Sequence, residues 1–250
     1  MSLPMVYLYA VTDWPELPLP DIPGLDQARI LGLSFGEIAA VVSPRATAIV
    51  PASIVNIRRH EAVVEALMTD RSVIPARFGA VLDDERAARR IIESHYTGFL
   101  SNLDRVRGRV ELGLRVLWDG AQLGTGQDQV PSHGSTSSLP ASGRAYLRTR
   151  LEAERREQAQ QERAAAVANE LHAPLARLSA ESTQQLLVTP RMLMTAAYLV
   201  NTDRVASFRK MVADLSKAHP ALRLLCTGPW PPYNFTMGSV LPTERNEAHV

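Results

Sequence analysis

Few residue patterns in this chain could do chemistry. Gly32-Leu33-Ser34-Phe35-Gly36 matches G-x-S-x-G, in which a strained turn between a strand and a helix presents a serine hydroxyl as a nucleophile. The run Ile38–Val42 that follows has strand character, so a hairpin turn is the better reading, and a small serine hydrolase using Ser34 is the alternative. His60-Glu61 opens like the zinc motif H-E-x-x-H, but Val64 stands where the second histidine would bind. His60 is therefore expected at a helix surface or in a local pair. His95 lies on an apolar helix stripe and is expected to be hydrogen-bonded and partly buried. Gly124-Thr125-Gly126 lacks the rest of a phosphate-binding fingerprint.

Two segments point to contacts instead of catalysis. In Arg77-Phe78-Gly79, just after Pro75, an arginine beside an ordered ring can clamp a carboxylate or stack on a ring, or form an internal salt bridge that fixes the loop. In Gly228-Pro229-Trp230-Pro231-Pro232-Tyr233-Asn234-Phe235, three prolines remove three backbone donors. That predicts an extended polyproline rod, neither helix nor central strand, carrying three aromatic rings. Trp230 and Phe235 are expected to pack against the body and lock two domains in register. The candidate partner or interdomain contacts are Arg77, Phe78, Trp118, Trp230, Tyr233 and Phe235, and no catalytic, cofactor or metal site is assigned.

Composition narrows the class. The chain has 250 residues, 46% of them hydrophobic, and a net charge of +1, which offers no field for nucleic acid or an anionic membrane. Cys226 is the single cysteine, so neither an intramolecular disulfide nor a cysteine-rich metal frame can form. Met5–Val11 is short, has no basic residue before it and runs into Asp13 and Pro15, unlike a signal peptide. No stretch approaches the roughly 18 uncharged apolar residues that span a bilayer. The expectation is a soluble, cytoplasmic protein.

The elements follow from periodicity. Met5–Val11 reads as a strand buried on both faces, followed by a loop, Trp14 to Gly24, with four prolines. Arg29–Leu33 and Ile38–Val42 are strand candidates with a turn over Gly32 to Gly36. Ser53 caps a helix to about Met68, and Val73-Ile74-Pro75 is extended. Asp83 or Asp84 caps a helix whose stripe is Ala88, Ile91, Ile92, His95, Phe99 and Leu103, ending at Arg107-Gly108. Val110, Leu112, Leu114, Val116 and Trp118 alternate with polar or small residues as in a half-buried strand. A Gly-, Ser- and Gln-rich segment, Asp119 to Gly143, is expected to be mobile. A long helix spans 144–178, polar around Glu152–Glu157, with Pro174 as a candidate kink. Strand candidates Gln185–Val188 and Met192–Val200, a helix capped by Asn201 or Thr202, and a strand over Leu222–Cys226 complete the order.

This order predicts an α+β fold of two domains: an N-terminal α+β domain over 1–107 and a C-terminal domain over 108–238, with residues 239–250 as a disordered tail. Strand, helix, strand, strand, helix, strand in the second domain is the ferredoxin-like order, an antiparallel sheet with two helices on one face. A ferredoxin-like regulatory module binding a small ligand is a further alternative.

Several segments, in order along nearly the whole chain, resemble the gas vesicle protein GvpL/GvpF family. They are Tyr7-Leu8-Tyr9, Ile38 to Ser43, His60 to Glu65, Val73 to Gly79, Glu111 to Trp118, Met192 to Val200 and Gly228 to Phe235. After Pro23-Gly24-Leu25-Asp26 the resemblance leads one to expect a glycine where this chain has Gln27. The resemblance implies a non-enzymatic accessory protein of gas vesicles, air-filled proteinaceous buoyancy compartments. Its partners would be the small, very hydrophobic shell protein and other accessory proteins. It would be found in the cytoplasm or with the vesicle, without cofactor, nucleic acid or membrane.

Overall fold

Strand β1, Met5–Asp13, organises the N-terminal part, because its residues are buried on both sides of the sheet. We analysed a computed structural model, which describes residues 4–118, 143–189 and 191–236. The expectations of a mobile segment before Gly143 and of a disordered tail fall outside the described residues. β2 (Leu31–Phe35), β3 (Ile38–Arg45), β1 and β4 (Val73–Pro75) lie side by side, and the short β5 (Val81–Leu82) also pairs with β1. All these pairings are antiparallel. The β1–β3 register slips between Leu8 and Ala10, so Tyr9 sits in a bulge. The bulge breaks strict alternation. Val6, Leu8 and Val11 join one core, while Tyr7, Tyr9 and Ala10 join the core on the opposite face.

Each face has its own helical cover. Helix α1 (Ile54–Leu67) starts at Ser53, whose Oγ accepts the Asn56 N–H at 3.2 Å, and it buries Val63, Val64 and Leu67 over the tyrosine face. Helix α2 (Glu85–Ser94) starts at Asp84, which accepts the Ala87 N–H at 2.7 Å. With α3 (Tyr96–Val106), it covers the other face through Ala88, Ile92, Phe99 and Leu103. Each fully buried aliphatic side chain of this kind contributes about 1.5–3 kcal/mol.

Several local expectations are corrected. The single helix expected to reach Arg107 is two helices that break at His95 (φ −116°, ψ 18°). His95 is exposed, and its Nδ1 lies 2.9 Å from Ser94 Oγ and 3.1 Å from the Ile91 carbonyl. Gly108, at φ +67°, follows α3 as the terminating glycine. Ser34 lies within β2, and the hairpin turns later, at Gly36-Glu37. Gln27 adopts φ +59°, the left-handed region that explains why a glycine would suit that position.

The remaining elements are β6 (Arg109–Trp118), α4 (Gly143–Ala176), β7 (Glu181–Leu186), β8 (Met192–Asn201), α5 (Val205–Ala218), β9 (Leu222–Trp230) and the single turn α6 (Tyr233–Thr236). The second sheet has the order β7-β8-β6-β9, giving a mixed α+β fold with two antiparallel sheets. Helix α4 continues through Pro174 and buries Ala164, Ala168, Leu171 and Leu175, while Leu151 is exposed. Strand β7 starts four residues earlier than expected. It is an edge strand of mostly exposed residues, so no apolar alternation marks it. Thr202 does not cap α5; its hydroxyl and its N–H both donate to the Gly108 carbonyl. The last strand runs beyond Cys226 to Trp230, with Pro229 tolerated because β9 is at the sheet edge, and Tyr233–Thr236 is helical. Both findings replace the expected polyproline rod.

Residue contacts gather the chain into two compact units. One holds the chain up to Leu112, Leu199–Thr202 and the chain from Gly228; the other holds Gly113–Tyr198 and Asp203–Thr227. In the second unit, the Tyr198 ring packs at a tilt of 60° against Phe208 (5.0 Å), and its hydroxyl meets His172 Nδ1 at 2.9 Å.

Two glycines test this packing in opposite directions. A Cβ on Gly24 would lie 2.3 Å from the Tyr9 hydroxyl, whereas one on Gly98, in exposed helix α3, would meet nothing within 4 Å. Gly24→Ala should lose about 1–3 kcal/mol by overpacking, and Gly98→Ala should gain up to about 1 kcal/mol, both read from urea unfolding.

Candidate functional site

A cluster of buried polar and aromatic side chains forms where the C-terminal segment meets the tyrosine face of the first sheet, all within the first unit. Tyr7 and Tyr9 come from β1, with ring centroids 4.8 Å apart. Buried phenols need partners for their hydroxyls. Tyr9 Oη accepts the Leu25 N–H at 2.7 Å and lies 3.0 Å from Ser43 Oγ. Tyr7 Oη accepts the Gly79 N–H at 3.1 Å and lies 2.9 Å from His60 Nδ1. His60 thus bridges two phenols, with Nε2 3.2 Å from Tyr233 Oη; a neutral imidazole donates to one of them and accepts from the other. The His60 ring stacks on Tyr9 (5.9 Å, 21°) and meets Phe78 edge-on (5.9 Å, 90°).

A second anchor lies one residue further along. Glu111, on β6, is only 6% exposed although it occupies the polar face of an alternating strand. Its carboxylate accepts the Asn234 backbone N–H at 2.8 Å and also the Asn234 Nδ2 amide. The first turn of a helix has N–H groups without intrahelical partners, and a carboxylate suits them. Arg105 donates to the Phe235 carbonyl, Thr236 Oγ1 donates to the Pro232 carbonyl at 2.9 Å, and Pro231, Pro232 and Thr236 are buried.

Burial keeps His60 and the tyrosines uncharged. It holds His60 down at about 4, against a smaller upward pull from the Ala76 backbone. It pushes Tyr7 up to about 12, with the Gly79 N–H pulling back, and it raises Tyr233, with Glu61 adding to the rise. Burial also pushes the Glu111 carboxyl up, against the two Asn234 bonds. At neutral pH, His60 and the tyrosines form a neutral hydrogen-bonded chain, which suits holding a segment in place. Among the described residues, no group of three or more His, Cys, Asp or Glu could hold a metal ion.

Of the sequence-derived candidates, Phe78 and Tyr233 meet here. Phe235 is half-buried at the same turn, and Arg77 is exposed beside Phe78. Trp118 lies in the second unit, donating its Nε1–H to the Thr189 carbonyl at 3.1 Å. Trp230 is 40% exposed, which corrects the expectation that it packs against the body; Tyr233, Pro231 and Pro232 are the seated residues. His60 is buried, not at a helix surface, and its long-range partners carry no mark in sequence. The signal for Glu111 was a lone carboxylate between two apolar residues, Val110 and Leu112, of the alternating strand. Ser34 is exposed on β2, with strand before and after the turn, so the strand-to-helix context of a nucleophile elbow is absent.

A family model described as "Gas vesicle synthesis protein GvpL/GvpF" matches residues 5–237. The chain belongs to the GvpL/GvpF family. Gas vesicle protein L of a Streptomyces species is 35% identical over 71% of this chain and 67% of its own length. Gas vesicle protein F2 of Halobacterium salinarum is 26% identical over 94% of this chain and 93% of its own. The crystal structure of GvpF from an Anabaena species matches with a TM-score of 0.73 at 21% identity, covering 98% of this chain and all of that one. GvpF from Microcystis aeruginosa matches at 0.68 and 19% identity, covering 93% and 98%. These two structures establish likeness of fold.

In this GvpL/GvpF chain the buried His60 should make stability depend on pH. Between the ordinary value of 6.5 and about 4, the unfolded chain binds a proton that folded His60 does not. The stability due to neutral His60 is complete above 6.5 and is lost as pH falls to about 4, a loss of roughly 3 kcal/mol. Glu111, with its carboxyl raised, works in the opposite sense, gaining as pH falls. In urea unfolding followed from neutral to acid pH, His60→Phe should remove most of the acid loss seen in the wild type. An unchanged slope would show that His60 is not its source.

Proposed function

We propose that this chain is a non-enzymatic accessory protein of gas vesicle formation that binds the hydrophobic shell protein. Family membership supports the vesicle role. The observation that carries the contact reading is the C-terminal segment: it is held from behind by His60 and Glu111, yet it leaves the Trp230 indole 40% exposed. A large ring on an ordered support binds with little further loss of freedom. Exposed Arg77 and half-buried Phe78, beside the same cluster, are proposed as neighbouring contacts. Other accessory proteins are further partners in this reading, and the place of action is the cytoplasm or the vesicle. Among the described residues, no helix is long and apolar enough to cross a membrane.

We also read the part from β6 onward as ferredoxin-like. Numbered among themselves, its four strands have the spatial order second, third, first, fourth, which is the order of a split βαβ sandwich. The two-domain division, with the second domain beginning near Gly108, belongs to the same reading.

Trp230 and Tyr233 should behave differently when altered. Trp230→Ala should leave unfolding stability within about 0.5 kcal/mol of wild type. In a strain that depends on this gene, the same change should lower vesicle yield and shell-protein capture. Tyr233→Phe strips the buried His60 Nε2 of its hydrogen-bond partner and should cost about 1–3 kcal/mol. Normal vesicle yield and normal capture with Trp230→Ala would overturn the contact reading. Assaying purified vesicles for the chain before and after a urea wash distinguishes a retained component from an assembly factor.

A further inference from the structure

Trp14 is built unlike the other aromatic residues of the first unit. Its backbone lies in the left-handed region (φ +54°), which is uncommon for a bulky side chain, and it is 57% exposed. The turn is fixed on both sides. Asp13 is 5% exposed and accepts the Ser72 N–H at 2.8 Å, while the Trp14 carbonyl accepts the Leu17 N–H at 3.1 Å. The indole therefore stands in solvent on an ordered support.

It borders a cleft of about 350 Å³ whose apolar side is Leu100 and Leu103 of α3. Four charged groups line that cleft: Asp13, Glu16, Glu37 and Arg107. Arg107 is paired with Asp13 (3.3 Å) and Asp104 (3.3 Å). Glu16, beyond Trp14, and Glu37, at the β2–β3 turn, are exposed and have no ion-pair partner among the described residues. The cleft thus combines an indole face, an apolar wall and two carboxylates with uncompensated charge. An indole face and free carboxylates both attract a guanidinium or ammonium, and the wall suits the methylene stem that carries it.

We propose that this cleft receives an arginine or lysine side chain from an amphipathic, basic segment of a partner protein. This rests on the reading that the chain works by contacting other proteins, and Trp230 is not among the residues that line the cleft. Charge decides the occupant: an acidic segment would meet Glu16 and Glu37, and a purely apolar one would leave both carboxylates without a counter-charge.

The test uses the full chain and a labelled amphipathic helical peptide of leucine, alanine and arginine. A second peptide with glutamate replacing arginine serves as the comparison. Fluorescence anisotropy should show the arginine peptide binding at least about tenfold more tightly than the glutamate peptide. Glu16→Lys with Glu37→Lys should weaken arginine-peptide binding about tenfold or more. An equal change of net charge elsewhere, Glu152→Lys with Glu154→Lys on exposed α4, should change it less than about twofold. Trp14→Gly should weaken binding to a similar degree while melting no lower than Trp14→Ala, since glycine accepts the positive φ. Equal binding of the two peptides, equal effects of the two charge reversals, or full binding by Trp14→Gly would each overturn the proposal. Wild-type complementation of vesicle formation alongside such a result would overturn the cleft and leave the vesicle reading standing.

Discussion

Two phenol hydroxyls inside an apolar core set the terms for much of the first unit. β1 is buried on both faces; strand alternation turns both Tyr7 and Tyr9 toward α1, and the bulge at Tyr9 adds Ala10 to the same face. A buried hydroxyl without a partner costs about as much as a hydrogen bond is worth, so each must be met by a fixed group. Tyr9 is met by Leu25 N–H and Ser43, which brings the backbone at Gly24 so close that no side chain fits there. Tyr7 is met by Gly79 N–H and His60, which ties the Arg77-Phe78-Gly79 loop and helix α1 to the same strand.

The same chain of bonds extends to the C-terminal segment. Tyr7 meets Nδ1 of His60, and the opposite nitrogen, Nε2, meets the Tyr233 hydroxyl. Glu111 then holds the next residue by its backbone and its amide. Neutral groups at one anchor and a carboxylate with two donors at the other avoid leaving a buried charge unpaired, the most costly arrangement a core can contain. The segment is ordered by residues far away in sequence, while its tryptophan is left outside. A ring held this way is available to a partner without first having to be organised.

Strain and exposure coincide at a second aromatic residue, Trp14, and there too the supporting backbone is tied down by buried groups. The first unit thus presents two tryptophans on ordered supports, in different chemical settings. Trp230 follows an apolar strand and leads into prolines, whereas Trp14 stands beside carboxylates.

Local patterns were enough for much of this architecture. The apolar run of β1, the Ser53 and Asp84 caps, the alternation in β6 and the glycine at 108 each reflect the chemistry of a few adjacent residues, so they are legible in sequence. The collinear family motifs were legible for the same reason. Other features depend on distant groups. The break at His95, the edge strand Glu181–Leu186 and the helical turn after Pro232 have no periodicity of their own. The burial of His60, the seating of Tyr233 in place of Trp230, and the pairing of Glu111 with Asn234 join positions separated by 173 and 123 residues. Sequence by itself determined which segments could be strands, helices and stiff aromatic loops, because those preferences are set within a few residues. Only the tertiary structure decided which polar groups enter the core and which rings stay outside, because a buried hydrogen bond exists only once both of its partners have been brought together.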